Sequence, residues 1–592
     1  MDKKTAFLAI RELNERCLYV SSKWLSTQIH SVFQNQTQIK KVQEQQQDQD
    51  QEQEKEKEKE KEKKKEKEQG LEQEETITIQ LTGEDLDPTF QLARNLFQLK
   101  EYKRCSHLLE GKTTKKSFFL HCYSRYILGE QQRDERIQQE GNLLGTLGKY
   151  KNKELLPLYN LITNYQKEKK EDLDPFCEYV YALVLVGLEK ANEAIQSLTK
   201  SINKFPYNWS CWLELSDLLE TPRELSLLNF GEEILNNSMY KMFLCYFLVG
   251  HSKYEKVFEL CNKLNSKFNF GTNILSLQAR ASYLSGDFDT AEELYKKLHK
   301  IDPLSLEGMD VYSNILFVNR KKAELSHLAH NCLQFAKYRP QTCIIVGNYF
   351  SLRGEHEKAI TYFQRTLKLQ LTNSSAWILM GHEYIELKNF SAAIQAYRRG
   401  VELAPRDYRA WYGLGHVYEL LQLPLFALYY FNKTVQLRPF DSRLWCALGN
   451  CHESLGQIQN AIKCYQRAEQ NKDQKGYLPF KHLANLFETI GEIDTAAFYW
   501  QKTLSMIIQL GSDELLKIQP LYFLAEYYKN NYEITKAKKK CEELLDIPEI
   551  SQKSKISAQT LYREILAIET ESRSNTSKRL SLSPSSNSKF EH

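Results

Sequence analysis

At 592 residues the chain is too long for one compact hydrophobic core, which favours several domains or a repeated fold. Its net charge of +4 is small for this length and argues against a nucleic-acid partner, because nucleic-acid-binding proteins need a basic face or cluster. The 13 cysteines form no CxxC pair, so we expect buried free thiols in a reducing compartment. Since there is no signal-peptide core and the densest apolar run, 242–249, is too short to span a bilayer, we expect a soluble intracellular protein without a membrane partner.

The chain divides by composition and periodicity into six predicted segments. Apolar residues recur at helical spacing near the N-terminus, and a stretch of Gln, Glu and Lys follows that has almost nothing apolar to bury. In chain order we expect an N-terminal helical pair at 1–38, a disordered low-complexity insert at 39–76, N-terminal repeats at 77–237, C-terminal repeats with a concave groove at 238–551, a closing helix at 552–569 and a disordered Ser-rich tail at 570–592.

A pattern of 34 residues recurs three times between residues 374 and 473. The copies share Trp, Gly, Ala and aromatic residues at the same offsets, and this series is the tetratricopeptide signature. The residues assigned to the structure of the repeat are Trp377, Gly381, Ala393, Pro405, Trp411, Gly415, Ala427, Pro439, Trp445, Gly449 and Ala461. Because one repeat cannot bury its own apolar face, the copies must stack, and we predict an all-α tetratricopeptide-repeat superhelix (α-solenoid) of about twelve helical pairs.

Each residue type in the pattern has a physical reason. Gly and Ala are expected where the two helices of a repeat cross closely, and Pro ends the second helix because it has no N–H group. Aromatic residues fill the space around the crossing, so we expect Trp411 to be a large buried residue whose loss costs roughly 3–5 kcal/mol. The Thr221-Pro222 pair interrupts an earlier repeat, and we expect that repeat to be distorted.

The first helix of each repeat is expected to line a concave groove. Its inward positions contain amides, imidazoles and acids, and Asn side chains can bind an extended peptide backbone while acids bind an Arg or Lys of the ligand. Asn at this position is, however, common in such repeats whatever they bind. The candidate groove residues are Asp310, Asn314, Asn348, His382, Tyr412, His416, Glu419, Asn450 and Glu453.

Other kinds of site have little support in the sequence. His327 and His330 lie three residues apart, but no third ligand is spaced nearby and zinc needs three or four, so we predict no metal site. No catalytic constellation or cofactor motif stands outside the repeat pattern, and we predict a protein that is not an enzyme and needs no cofactor. Ser583 precedes a proline and is a possible phosphorylation site, although such pairs also arise by chance in Ser-rich tails.

The run 379–468, which includes Gly-His-Glu-Tyr at 381–384 and Ala-Trp-Tyr-Gly-Leu-Gly at 410–415, resembles subunit 8 of the anaphase-promoting complex, the cell-division-cycle 23 type. The N-terminal segments 17–24 (Cys-Leu-Tyr-Val-Ser-Ser-Lys-Trp) and 118–130 are similar to the same family and make the resemblance specific. The charged insert departs from the family pattern.

The resemblance implies a non-catalytic scaffold of a cullin-RING-type E3 ubiquitin ligase that controls mitotic progression and exit, in the nucleus and cytoplasm. It implies three kinds of partner: the other subunits of the complex, a second copy of this chain bound through the N-terminal repeats, and a WD40-type coactivator. An Arg-containing motif of the coactivator is expected to dock in the C-terminal groove. A two-fold dimer suits an interface that uses the same surface of both copies.

Two alternatives belong to other classes. A chaperone adaptor that captures the C-terminal carboxylate of a heat-shock protein would need a basic clamp in the groove, whereas the inward positions here are mainly acidic. An enzyme with a repeat-built substrate arm would need a catalytic α/β domain beyond the repeats, and only a short polar tail follows the last predicted helix.

Overall fold

A computed structural model describes residues 3–28, 87–139, 150–169, 173–268, 271–470, 476–511, 514–547 and 552–580 of the chain. These residues form α-helices joined by turns, with a single-turn 3-10 helix at Glu514–Lys517, and no strand occurs among them. The predicted all-α repeat fold is therefore confirmed. The insert predicted at 39–76 and the candidate Ser583 lie outside the described residues, and both remain predictions.

The chain forms two compact units, residues 1–376 and residues 377–592, and each is described by itself. The helices of the first unit are α1 (Lys3–Glu15), α2 (19–28), α3 (Pro88–Gln98), α4 (Tyr102–Leu108), α5 (Lys115–Gln139), α6 (Leu155–Lys169), α7 (Pro175–Gly187), α8 (Ala191–Lys204), α9 (Trp209–Leu218), α10 (Pro222–Leu227), α11 (Glu232–Asn236), α12 (Ser238–Gly250), α13 (Tyr254–Phe268), α14 (Thr272–Ser285), α15 (Phe288–Ile301), α16 (Met309–Val318), α17 (Lys322–Ala336), α18 (Pro340–Leu352) and α19 (His356–Leu369).

From Ser374 onward the helices are α20 (Ser374–Glu386), α21 (Phe390–Leu403), α22 (Tyr408–Leu420), α23 (Pro424–Leu437), α24 (Ser442–Ser454), α25 (Ile458–Gln470), α26 (Leu478–Ile490), α27 (Ile493–Leu510), α28 (Ile518–Asn530), α29 (Ile534–Leu545) and α30 (Gln552–Leu580). The closing helix α30 thus continues beyond the predicted end at residue 569. The physical reason is that residues 570–580 contain neither Pro nor Gly, and the first proline after them is Pro584.

Short turns join the helices into antiparallel pairs, and a glycine in the first helix meets an aromatic ring from the second. A Cβ atom added to Gly381 in α20 would lie 2.7 Å from the ring of Tyr397 in α21. The same ring also meets Gly413 in α22, where an added Cβ would lie 2.4 Å away. One aromatic ring therefore fills the space between three helices, and only glycine leaves room for it on either side.

The proline before a repeat has a second role that the sequence pattern did not indicate. The indole N–H of Trp411 donates a hydrogen bond to the carbonyl oxygen of Pro405 at 2.9 Å, and Trp445 donates to Pro439 at 2.8 Å. Both indole rings are only half-buried, because one edge of each faces this loop and solvent. Trp411, expected to be a large buried residue, is thus buried only in part, whereas Trp377 is 1% exposed.

The repeat interrupted at Thr221-Pro222 is distorted, as predicted. Two short helices, α10 and α11, follow α9 in place of one longer second helix. The Thr221 hydroxyl caps α10 by accepting a hydrogen bond from the backbone N–H of Glu224 at 3.4 Å. Pro222 is tolerated in the first turn of α10, where its missing N–H is not needed, but it prevents a helix from running through this point.

The N-terminal helices α1 and α2 belong to the core of the first unit, although residues 29–87 separate them from α3. Glu15 and Lys116 form a buried ion pair with 2.6 Å between Oε2 and Nζ. The ring of Trp24 stacks on that of Trp209 with 4.0 Å between centroids. All 13 cysteines are buried and none forms a disulfide. Within the described ranges, no helix has both the length and the apolar character that crossing a membrane requires.

Candidate functional site

The nine candidate groove residues all lie on first helices of repeats. Three belong to the first unit and six to the second, so we treat them as two sets. The first set is Asp310 and Asn314 on α16 and Asn348 on α18. The second set is His382 on α20, Tyr412, His416 and Glu419 on α22, and Asn450 and Glu453 on α24.

In the first set, Asn348 connects neighbouring repeats. It is 2% exposed, and its Nδ2 group donates to the Ser313 hydroxyl at 2.8 Å and to the side-chain oxygen Oδ1 of Asn314 at 2.7 Å. The amide N–H groups of Asn348, which were expected to bind the backbone of a peptide ligand, therefore donate to groups within the protein. Asp310 is half-buried near Tyr295, and burial raises the pKa of that phenol, with the Asp310 carboxylate adding to the shift.

The same bond between amides occurs in the second unit. Gln519 Nε2 donates to Asn485 Oδ1 at 3.1 Å, and these residues are 34 positions apart, as are Asn314 and Asn348. One repeat length therefore places equivalent side chains within hydrogen-bonding distance. The sequence shows the series of amides but does not show that they bond to one another.

In the second set, His382 is held by the second helix of its own repeat. Its Nδ1 atom lies 2.7 Å from the hydroxyl oxygen of Tyr397. The ring keeps contact with solvent, yet protein atoms crowd it and the resulting desolvation lowers the pKa of His382 to about 4. The positive charges of Arg409 and His416 add to this shift. A neutral ring can accept the Tyr397 O–H at Nδ1, which leaves the N–H on Nε2 as its donor.

Asn450 and Glu453 are held in the same way by Tyr465 of the second helix. The Tyr465 hydroxyl donates to Asn450 Oδ1 at 2.7 Å and lies 3.0 Å from Glu453 Oε2. Burial raises the pKa of Tyr465, with the Glu453 carboxylate adding to the shift, so the phenol keeps its proton.

The repeat between them differs because its second helix has Phe431 at this position, which has no hydroxyl group. His416 instead pairs with Glu419, with 3.5 Å between Nδ1 and Oε2, and its ring faces that of Tyr412 at 6.4 Å. The His416 and Glu419 side chains are 42% and 38% exposed. His382 and Glu453 on the flanking repeats are exposed as well, so a ligand can reach side chains of all three repeats.

The two arginines near these residues are neutralised locally. Asp407 caps α22 by accepting the backbone N–H of Arg409 at 3.0 Å, and its Oδ2 lies 2.7 Å from Arg409 Nη2. Asp441 caps α24 and pairs with Arg443 in the same manner, with 3.2 Å between Oδ2 and Nη2. This Asp-x-Arg arrangement, which sequence reasoning missed, leaves no basic clamp for a carboxylate at these two arginines.

No candidate residue belongs to a group placed to hold a metal ion within the described ranges, and the cleft in the first unit does not include these residues. Among the described residues, no group of three or more His, Cys, Asp or Glu side chains is placed to hold a metal ion. His330, one of the two histidines considered for a metal site, is exposed on its helix. Its Nδ1 atom lies 2.8 Å from the backbone carbonyl oxygen of Ser326, one helical turn earlier. An open cleft of about 740 Å³ in the first unit is lined by residues such as Leu306 and Phe335 and contains none of the nine candidates.

Comparison with known families identifies two kinds of match. The sequence profile of the family described as anaphase promoting complex subunit 8 / Cdc23 matches residues 5–281. Profiles of the tetratricopeptide repeat match residues 381–422 and 442–471. A crystal structure of the APC/C hetero-tetramer Cut9-Hcn1 superposes with a TM-score of 0.51 at 16% identity, over 82% of this chain and 97% of that one, and this likeness supports the fold.

Three relatives extend the similarity over most of the chain. Anaphase-promoting complex subunit 8 of Arabidopsis thaliana is 41% identical over 95% of this chain and 96% of its own length. The protein of the same name from Dictyostelium discoideum is 38% identical over 94% and 96%. Anaphase-promoting complex subunit CDC23 of Saccharomyces cerevisiae is 37% identical over 75% and 81%. The chain therefore belongs to the anaphase-promoting complex subunit 8 (Cdc23) family.

Proposed function

We propose that this chain is a non-catalytic scaffold subunit of the anaphase-promoting complex, an E3 ubiquitin ligase that controls mitotic progression and exit in the nucleus and cytoplasm. Similarity to Arabidopsis subunit 8 over 95% of the chain is the observation that supports this role. The described residues are consistent with it, since they consist of packed helix pairs whose polar residues bond to one another. The other subunits of the complex are its partners.

The second set of groove residues is proposed to bind the coactivator. A WD40-type coactivator would present an extended segment containing an arginine, and Glu419 offers a partly exposed carboxylate beside the ring of Tyr412. A guanidinium group can pair with such a carboxylate through two hydrogen bonds and stack on an aromatic face. His382, Asn450 and Glu453 lie on the flanking repeats. In the first unit, Asp310 and Asn314 are proposed as a separate binding set, in which the buried Asn348 holds Asn314 in position.

Binding of a synthetic coactivator peptide to the full chain tests this site. Glu419→Gln keeps the shape of the side chain and removes its charge, so we expect affinity for the Arg-containing peptide to fall about tenfold, or ~1.4 kcal/mol. Glu402→Gln is the matched control, because Glu402 is an exposed acid on α21 that pairs with Arg399. If a peptide with Ala in place of Arg is weakened equally by Glu419→Gln, the proposed contact is wrong.

We also propose that two copies of the chain pair through the N-terminal repeats. Apolar side chains stay exposed on the first of these repeats, with Leu92 50% and Leu99 70% exposed. Burial of such side chains against a second copy would stabilise a two-fold dimer. Sedimentation of the full chain should show a dimer that Leu92→Glu and Leu99→Glu together convert to a monomer, while Leu369→Glu, at a 50% exposed position in the C-terminal repeats, leaves it unchanged.

The alternative role as a chaperone adaptor has less support. Binding of a C-terminal carboxylate needs basic side chains that are available to the ligand, and here Arg409 and Arg443 are paired with Asp407 and Asp441.

A further inference from the structure

One repeat of the second unit exposes an apolar surface that its neighbours do not have. We call the side chains of Leu420, Leu423, Leu425, Phe426 and Tyr429 the α23 apolar face, since most lie at the start of that helix. Leu425, Phe426 and Tyr429 are 69%, 57% and 55% exposed. Leucine and phenylalanine side chains exposed this far, and next to one another, form the kind of patch that usually marks an interaction site.

The fold does not require these residues, as the adjacent repeats show. Thirty-four residues before Leu425, Phe426 and Tyr429 the chain has Ser391, Ala392 and Gln395. Thirty-four residues after them it has Gln459, Asn460 and Lys463, all of them exposed. The inward positions of α23 follow the common pattern, with Ala427 and Phe431 both 0% exposed. The apolar surface positions are therefore a property of this repeat and not of the repeat fold.

The exposed residues continue into a cluster of aromatic rings. The ring of Phe426 lies 5.4 Å from that of Tyr418, which stacks on Tyr430 at 5.3 Å, and Tyr429 meets Tyr430 edge to face at 5.2 Å. These contacts support the exposed rings from behind and hold them in place. Rigid aromatic side chains, tyrosine among them, are enriched among the residues that contribute most to binding energy in protein interfaces.

Two cations lie beside the face. Arg398 is exposed, and its Nη2 donates to the hydroxyl oxygen of Tyr418 at 3.3 Å. Lys433 lies one helical turn beyond Tyr429 on α23. In the part of the chain that the structure describes, neither side chain pairs with a carboxylate, although Arg399 beside Arg398 does pair with Glu402. The face is thus apolar with a positive margin, and it complements an apolar segment with a negative charge.

We propose that the α23 apolar face is a docking surface for an apolar segment of another protein that contains an acidic residue. The segment covers Leu425, Phe426 and Tyr429, and its carboxylate pairs with Arg398 or Lys433. Apart from Leu420 at the end of α22, this surface lies on α23 and just before it, whereas the groove residues proposed for the coactivator lie on first helices. That the segment belongs to a fellow subunit rests on the scaffold role proposed above.

Affinity purification of the tagged full chain from its own cells tests the proposal, with quantitative mass spectrometry of the proteins that accompany it. The test variant, Leu425→Gln with Phe426→Asn and Tyr429→Lys, gives this repeat the surface of the following one. The matched control is Gln459→Ala with Asn460→Ala and Lys463→Ala. We expect the test variant to lose at least one subunit tenfold or more, while other subunits and the coactivator remain and the control loses nothing.

Unchanged ratios of all subunits in the test variant would overturn the docking surface and leave the scaffold role intact. If the wild-type chain itself brings down no subunit of the complex, the scaffold role is wrong. Arg398→Glu provides a second test that leaves every apolar side chain in place, and it should weaken the same subunit as the triple variant. Loss of a different set of proteins would contradict the proposal.

A photo-reactive benzoylphenylalanine at position 426 identifies the occupant directly. We expect it to cross-link to an apolar peptide of another subunit that contains Asp or Glu, and the same group at position 460 should not give this product. A cross-link to a second copy of this chain, to a chaperone or to no protein would overturn the assignment.

Discussion

A single tyrosine ring shows how closely individual residues determine the geometry of this repeat. Tyr397 packs against Gly381 in its own repeat and against Gly413 in the next one, and its hydroxyl bonds to His382. The ring therefore sets the spacing of three helices and the orientation of one groove residue at the same time. The 34-residue pattern identifies Gly381 but not Gly413, whose partner lies in the preceding repeat.

Gly413→Ala should destabilise the helices around Tyr397. The added Cβ would lie 2.4 Å from ring atom Cε1, so the ring or the helix must move, at a cost of about 1–3 kcal/mol. Gly250→Ala is the control, because no atom lies within 4 Å of its added Cβ. Hydrogen exchange of α20 to α22 measures the effect, and equal protection in both variants would contradict the packing described.

The pKa of His382 predicts a window in which acid weakens the fold. An unfolded histidine titrates near pH 6.5, whereas desolvation lowers the pKa of folded His382 to about 4. Between these values the unfolded chain binds more protons, so stability falls as the pH falls from about 6.5 towards 4. His382→Asn introduces the residue type of Asn450, which lies two repeats later at the same repeat position. Because asparagine does not titrate, this variant should lose this part of the pH dependence. A ring that titrates near 6.5 by NMR in the folded protein would refute the prediction.

At the scale of helices, the fold and the direction of the groove residues follow from the sequence, but their partners do not. Periodicity identifies which side chains of a first helix point inward. Periodicity does not, however, give the distance between neighbouring repeats. That distance allows Asn348 to bond to Asn314, and Asn348 is therefore a structural residue. For the same reason the pattern overstates the burial of Trp411, since the loop that exposes its indole ring is set by the packing of the repeats.

The two tryptophans Trp500 and Trp411 should therefore differ in their contribution to stability. Trp500 in α27 is 0% exposed, and Trp500→Ala is expected to cost roughly 3–5 kcal/mol. Trp411→Ala removes a half-buried ring and one hydrogen bond to Pro405, for which we expect about 1–2 kcal/mol. Urea unfolding followed by hydrogen exchange in the surrounding helices compares them, and an equal loss for the two variants would contradict the assigned burial.

For the whole molecule, a stack of repeats has a consequence that a single core would not have. Each repeat contacts mainly its neighbours, so its stability is approximately the sum of local terms. The buried core of the first unit includes Trp212, and a separate cluster around Trp500 includes residues up to Ile565. Damage to one cluster should then remain within the unit that contains it.

Trp212→Ala and Trp500→Ala test this locality in the full chain. Both indole rings are 0% exposed, so the two substitutions remove similar buried volume from different units. Because coupling between repeats falls with distance along the stack, we expect Trp212→Ala to speed hydrogen exchange mainly in α8 to α12. Trp500→Ala should act mainly in α26 to α29. Each variant serves as the control for the other, and a uniform loss of protection along the whole chain in either one would mean that the repeats unfold as a single cooperative body.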